Sequence, residues 1–141
     1  MGLFVVYSCI EDKKENIVVE LPVEERLELA KKYDDAGNFS EGLARVQLYA
    51  KYGLGKYVFI DKTGKQVIPC VYDLADSFSE GLAHVKLNGK FGFIDKTGKQ
   101  VVPCVYDDVR YFSAFDIIVA IVGESEENQV RYYYDRDGNS L

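Results

Sequence analysis

Histidine is nearly absent from this chain of 141 residues: His84 is the only one. A single imidazole cannot build a His-based triad or a multi-histidine metal site within one chain. Cysteine is scarce and odd in number. Cys9, Cys70 and Cys104 have no short C-x-x-C spacing, which excludes a disulfide framework and a zinc pattern. Cys70 and Cys104 each follow Ile/Val-Pro, where a small apolar residue packs, and are expected to be buried, reduced thiols. No stretch approaches the ~20 apolar residues of a membrane span. Basic excess is also missing. The net charge is −6, and the pairs Lys13-Lys14 and Lys31-Lys32 sit among Glu and Asp, so neither nucleic acid nor an anionic membrane is an expected partner. No Lys or Arg precedes Lys13, so the basic start of a signal peptide is lacking and a soluble, cytoplasmic protein is expected.

What is present is ordinary globular composition, 48% hydrophobic and 28% charged, at a length that suits one domain over residues 1–141. Within it, one sentence is written twice. "FIDKTGKQVIPCVYD" (59–73) and "FIDKTGKQVVPCVYD" (93–107) differ only where Ile68 becomes Val102. The duplication extends outward, because "YDDAGNFSEGLARVQL" (33–48) matches "YDLADSFSEGLAHVKL" (72–87). Repeats therefore run over 33–71 and 72–105, the first lengthened by "YAKYGLG" (49–55). A third unit, 106–141, begins at "YDDVRYFS" and ends at "YYYDRDGNSL" without the Glu-Gly-Leu-Ala portion, and reads as incomplete. Residues 1–32 read as a diverged N-terminal unit, with "GLFVV" and "ENIVVE" as worn strands. Periods of this size signal an array whose units cover each other's apolar faces.

Period-two alternation makes "GLAHVKL" a half-buried strand, with Ala83, Val85 and Leu87 opposite His84 and Lys86. An Asn88-Gly89 hairpin turn leads to a second strand, "KFGFID". The turn "DKTGK" follows, in which the carboxylate of Asp95 accepts backbone N–H bonds and Gly98 supplies the positive φ. Asp61 with Gly64, and Asp135 with Gly138, hold the same places. "QVVPCVYD" is the third strand, with Pro103 marking an edge or bulge. The expected fold is all-β, a tandem array of three-stranded antiparallel meanders. One short helix is expected over 22–33, with Pro22 in its first turn, acidic residues early and lysines late.

The ordered motifs of residues 33–106 resemble the WG-repeat (KWG-repeat) family. Its unit reads approximately Tyr-Asp, Phe-Ser-Glu-Gly-Leu-Ala-x-Val, Asn-Gly-Lys-Trp-Gly-Tyr-Ile-Asp-Lys-Thr-Gly-Lys, Ile-Pro. Phe91-Gly92 and Tyr57-Val58 stand at the Trp-Gly position, and the chain has no Trp at all. The resemblance implies a mostly bacterial scaffold or interaction module and offers no catalytic residue to carry over.

The remaining motifs weigh against chemistry. "DKTG" at 61–64 and 95–98 is similar to the phosphorylated-aspartate motif of P-type ATPases, but Lys65 or Lys99 follows and no metal site is apparent to activate the aspartate. "GLGK" (53–56) lacks the spacing of a phosphate loop, and "DRDGN" (135–139) lacks the third acidic position and distal Glu of a calcium loop. No catalytic residue, cofactor or metal is expected. The acidic run "GESEEN" (123–128) reads as a solvated loop or a dock for a basic partner. Tyr33, Tyr72 and Tyr106, and Phe39, Phe78 and Phe112, recur at fixed places and are expected in the core.

"DIIVAIV" (116–122) is apolar on both faces, and such a strand is normally covered on both sides. Its cover is expected to be the helix, a second copy of the chain or a partner's strand. Ile118 and Val122, with Tyr132, Tyr133 and Tyr134, form the candidate interaction surface. The function expected is a non-catalytic protein-interaction or scaffold module, monomeric or weakly dimeric. The alternative is a module for cell-wall glycan or another small ligand, using the C-terminal tyrosines.

Overall fold

The computed structural model describes residues 22–48, 55–68 and 71–141. Cys9, Cys70, Pro69, the worn strands before residue 21 and most of the 49–55 insertion lie outside the described residues. No helix among those described is long and apolar enough to cross a membrane.

Among the described residues one helix, α1 (Val23–Lys32), precedes ten strands. Its first turn carries Glu24 and Glu25 and its last Lys31 and Lys32, which complement the helix dipole. Pro22 stands at the N-cap, and Tyr33 is the first residue of a strand rather than the last of the helix.

The strands form three antiparallel sheets in chain order. Sheet 1 is β1 (Tyr33–Ala36), β2 (Leu43–Leu48) and β3 (Tyr57–Asp61). Sheet 2 is β4 (Leu74–Ala75), β5 (Leu82–Leu87), β6 (Lys90–Asp95) and β7 (Gln100–Tyr106). Sheet 3 is β8 (Asp108–Phe112), β9 (Ile117–Val122) and β10 (Val130–Asp135). The fold is all-β, in tandem meanders.

The composition of each meander differs from the expected one. The segment at or just after each Tyr-Asp is itself a strand, so sheet 3 has three strands, and beside the four of sheet 2 it is the counterpart of β7 that is missing among the described residues. The described residues of the first unit's "QVIPCVYD" segment pair at the bridges Ile60–Gln66 and Tyr57–Tyr72, the counterparts of the pairs Ile94–Gln100 and Phe91–Tyr106 between β6 and β7. The leading strands β1 and β4 escape a pattern reading because they are only four and two residues long.

Sheets 1 and 2 are packed on both faces and sheet 3 on one, successive strand residues pointing to opposite sides. Phe59 and Leu43 join Phe78, Ala83, Val85 and Ile94 in a cluster between sheets 1 and 2. Leu82 and Phe93 join Val109, Ile118 and Ala120 between sheets 2 and 3. Ile60, Ala44 and Val58, pointing the other way, pack with Tyr33 and with Leu29 of α1. The helix thus covers the N-terminal end of the array. It does not cover β9, as one expectation had it; one face of β9 is covered by sheet 2 itself.

The recurring tyrosines Tyr33, Tyr72 and Tyr106 are all buried, but the phenylalanines are not equivalent. Phe78 is buried against Phe59, edge to face at 4.9 Å, whereas Phe39 and Phe112 are 46% and 45% exposed. Among the described residues no sheet precedes sheet 1 to receive Phe39. In the third unit β8 runs on to pair Phe112 with Ile117, and Tyr111 takes the edge-to-face position against Phe93 instead.

Candidate functional site

Three turns repeat one construction. Asp61 Oδ1 accepts the Thr63 and Lys65 N–H groups at 2.8 and 3.1 Å, and Asp95 Oδ1 accepts those of Thr97 and Lys99 at 2.9 and 3.1 Å. Asp135 Oδ1 accepts the N–H groups of Asp137 and Asn139, both at 2.9 Å. Gly64, Gly98 and Gly138 follow at φ 82°, 86° and 86°, each donating its N–H to the aspartate carbonyl. The Asn139 side chain, donating to Asp135, holds that carboxyl below its ordinary range. The three carboxylates organise backbone. Asp95→Ala should lower stability by about 1 kcal/mol, the order expected for lost turn hydrogen bonds. Urea denaturation of the purified variant measures it, and covalent phosphate found on Asp61 or Asp95 would contradict this structural role.

Between sheets, a second set of contacts recurs. Lys56 pairs with Asp73, and Lys90 with Asp107 at 2.5 Å, so the lysine that precedes each aromatic strand grips the Tyr-Asp of the next unit. Asp107 also accepts the Gly123 N–H at 2.8 Å; that bond and Lys90 hold its carboxyl below the usual range. The Ser-Glu-Gly turns interlock as well. Glu41 and Gly42 lie at φ 55° and 83°, and Glu80 and Gly81 at 52° and 80°. Both carboxylate oxygens of Glu41 accept the Gly81 N–H at 3.0 Å, and the Ser40 hydroxyl donates to the Phe78 carbonyl at 2.6 Å. Arg136 joins units 2 and 3, pairing with Asp116 at 2.9 Å and donating to the Tyr111 hydroxyl at 2.7 Å and the Glu80 carbonyl at 3.3 Å. Recurrence of Glu before Gly was the available signal for this clasp. A glutamate at positive φ is costly unless something holds it, and at Glu41 the next unit does.

His84 is half-buried rather than solvent-facing. It stacks on Phe91 at 4.9 Å and lies 3.3 Å from Asp76. Cys104 is half-buried rather than fully buried, with its N–H donated to Gln100 Oε1. Among the described residues no group of three His, Cys, Asp or Glu is placed to hold a metal ion.

The candidate surface residues separate. Ile118 is 0% exposed in the cluster between sheets 2 and 3, and cannot meet a partner in this fold; the sheet it faces covers it. Val122 is 39% exposed opposite Val130, and Tyr132 lies on the same side. Tyr134 is half-buried, its hydroxyl bonded to that of Tyr106. Burial, with that bond second, pushes the Tyr106 phenol up to about 12. Tyr133, 45% exposed, points to the outer face of sheet 3 in a row with Val119 and Arg110. Phe112 and Ile117 lie on that same outer face. In sheets 1 and 2 the corresponding faces, carrying Phe59 and Phe93, receive the next sheet.

The model of the WG containing repeat matches three times, over residues 27–52, 59–91 and 91–116. No curated protein and no solved structure matches the chain. The three matches cover more than half of the sequence, running from the helix through sheets 1 and 2 to the first strand of sheet 3, with the Tyr-Asp, Ser-Glu-Gly and Asp-Lys-Thr-Gly elements at the joints between units, and the chain belongs to the WG-repeat family.

Proposed function

We propose that the protein is a non-catalytic interaction module that docks a protein partner on the outer face of sheet 3. One observation carries the reading: Phe112 and Tyr133 stay exposed on the face whose counterparts in sheets 1 and 2 are packed against another sheet. A half-exposed apolar β face with aromatic anchors suits a protein surface of similar character. Glycan binding is less favoured, because Tyr132 and Tyr133 point to opposite faces of β10 and make no common stacking platform.

The test is affinity capture from extracts of the source cell, comparing wild type with the Phe112→Glu/Tyr133→Glu double variant. Proteins retained by wild type should fall at least tenfold with the variant while its Tm stays within a few degrees. An unchanged captured set from a folded variant would remove this face from the proposal. A soluble glycan that displaced the captured proteins would favour the ligand-binding reading.

A further inference from the structure

The tyrosine that opens units two and three is paired to the outer edge of the sheet before it. Tyr72 and Tyr57 exchange both backbone N–H···O=C bonds at 2.8 Å, and Tyr106 pairs with Phe91 at the same place on β6. The Tyr72 ring then lies edge to face against Phe59 at 6.4 Å.

β10 presents the same edge. Arg131 sits cross-strand from Ile121, as Tyr57 does from Gln47 and Phe91 from Lys86. The Ile121 carbonyl accepts the Asp107 N–H at 2.9 Å and so faces the β8 side. In an antiparallel ladder the N–H and C=O of its partner, Arg131, then turn away from β9 to the outer side of β10. Tyr134 bridges Ser140, and the Leu141 N–H donates to the Tyr133 carbonyl at 2.9 Å, as Val67 does to Phe59 at 3.1 Å. Among the described residues nothing pairs with the outward N–H and C=O of Arg131. Two residues along, on the same face, Tyr133 holds the place of Phe59 and is 45% exposed.

The contacts that fasten a following repeat unit are not repeated here. Val130 stands where Lys56 and Lys90 hold Asp73 and Asp107. The third unit also lacks the Glu-Gly with which Glu41 clasps Gly81. A backbone pair beside an exposed aromatic ring remains, and that suits a single extended strand.

We propose that the outer edge of β10 binds an extended segment of a protein partner, which exchanges two backbone hydrogen bonds with Arg131 and sets an aromatic side chain against Tyr133. The inference rests on the docking face proposed above and names the segment that reaches it. Backbone pairing fixes the register, and the Tyr133 ring supplies the preference for an aromatic residue.

The test titrates a blocked peptide copying residues 103–109 into the full chain under reducing conditions, read by amide NMR. Shifts at Arg131 and Tyr133 should saturate. Methylating the backbone nitrogen of the peptide's tyrosine, or replacing that tyrosine with alanine, should weaken binding about tenfold, the order of one lost hydrogen bond or ring contact. Arg131→Ala keeps the backbone groups and should bind within about threefold of wild type. Arg131→Pro removes an N–H that takes no part in the β9 ladder and should weaken binding about tenfold. No saturation in wild type, or equal affinity for the methylated peptide, would overturn the proposal, and the peptide comparison decides it where Arg131→Pro fails to fold. A dimer, seen by light scattering, that Arg131→Pro dissociates would give the edge to a second copy and overturn it as well. Peptide binding of this kind, with affinity capture unchanged by Phe112→Glu/Tyr133→Glu, would keep the edge and remove the face. Lost capture without peptide binding would keep the face and remove the edge.

Discussion

Replacing Ile118 with Lys should destroy the cooperative packing of sheets 2 and 3, whereas Val122→Lys, four residues along the same strand face, should be nearly silent. Ile118 is fully buried among residues that include Leu82, Phe93, Val102 and Val109, and an ammonium there has no partner and no water. Burying an unpaired charge is among the few single changes that cost more than about 4 kcal/mol, a large part of the 5–15 kcal/mol that holds a domain of this size. Val122 is at the open end of the strand, and a lysine there extends its charge into solvent at a cost of about 0.5 kcal/mol or less. Thermal melting followed by circular dichroism distinguishes the two. Comparable melting of both variants would mean that β9 is not clamped between sheet 2 and its own flanking strands.

That contrast marks where sequence reading succeeded and where it stopped. The apolar pattern of β9 on both sides was legible, and sheet 2 covers one of those sides. The identity of the cover was not. Ile118 faces sheet 2, while Val119 and Ile121 on the other face lie in rows with Arg110 and Tyr133, and with Asp108 and Arg131. The aspartate–glycine turns were legible because their bonds close within five residues and need no distant partner. The leading strands were not, since Ala75 is held by Val85, ten residues later, and its own short segment has no period to read. Phe39, Phe78 and Phe112 occupy one motif position but differ in burial, because what covers each comes from the neighbouring unit and not from the motif. The clasp of Glu41 on Gly81 was hidden for the same reason: its two halves are forty residues apart. In a repeat array the sequence of one unit encodes its turns, and the sequence of the next decides which of its faces are buried.

Alanine placed at Gly138 should cost about 3 kcal/mol or more, and at Gly81 no more than about 1–2 kcal/mol, although both glycines sit at positive φ. The shared part is the strain of putting a Cβ at φ 80° or 86°, a left-handed conformation that glycine adopts freely. At Gly81 nothing lies within 4 Å of the added carbon, so strain is the whole penalty. At Gly138 the added carbon would overlap the Val101 carbonyl, 2.9 Å from its carbon and 3.2 Å from the Val101 Cα. Val101 is held in β7 of the preceding unit, so both sides of that contact are backbone and one unit would have to move against the other. Gly64 and Gly98 have intermediate surroundings. Their added carbons would meet the Leu29 side-chain tip at 2.6 Å and Ile68 Cγ2 at 2.9 Å, atoms that can shift in part. The expected order of destabilisation is therefore Gly138 first, Gly64 and Gly98 between, and Gly81 last, read from urea denaturation of the four single alanine variants. If Gly138→Ala proved no worse than Gly81→Ala, the third turn would not be seated against β7. The close backbone approach that joins the second and third units would then be lost as an account of how the array is held together.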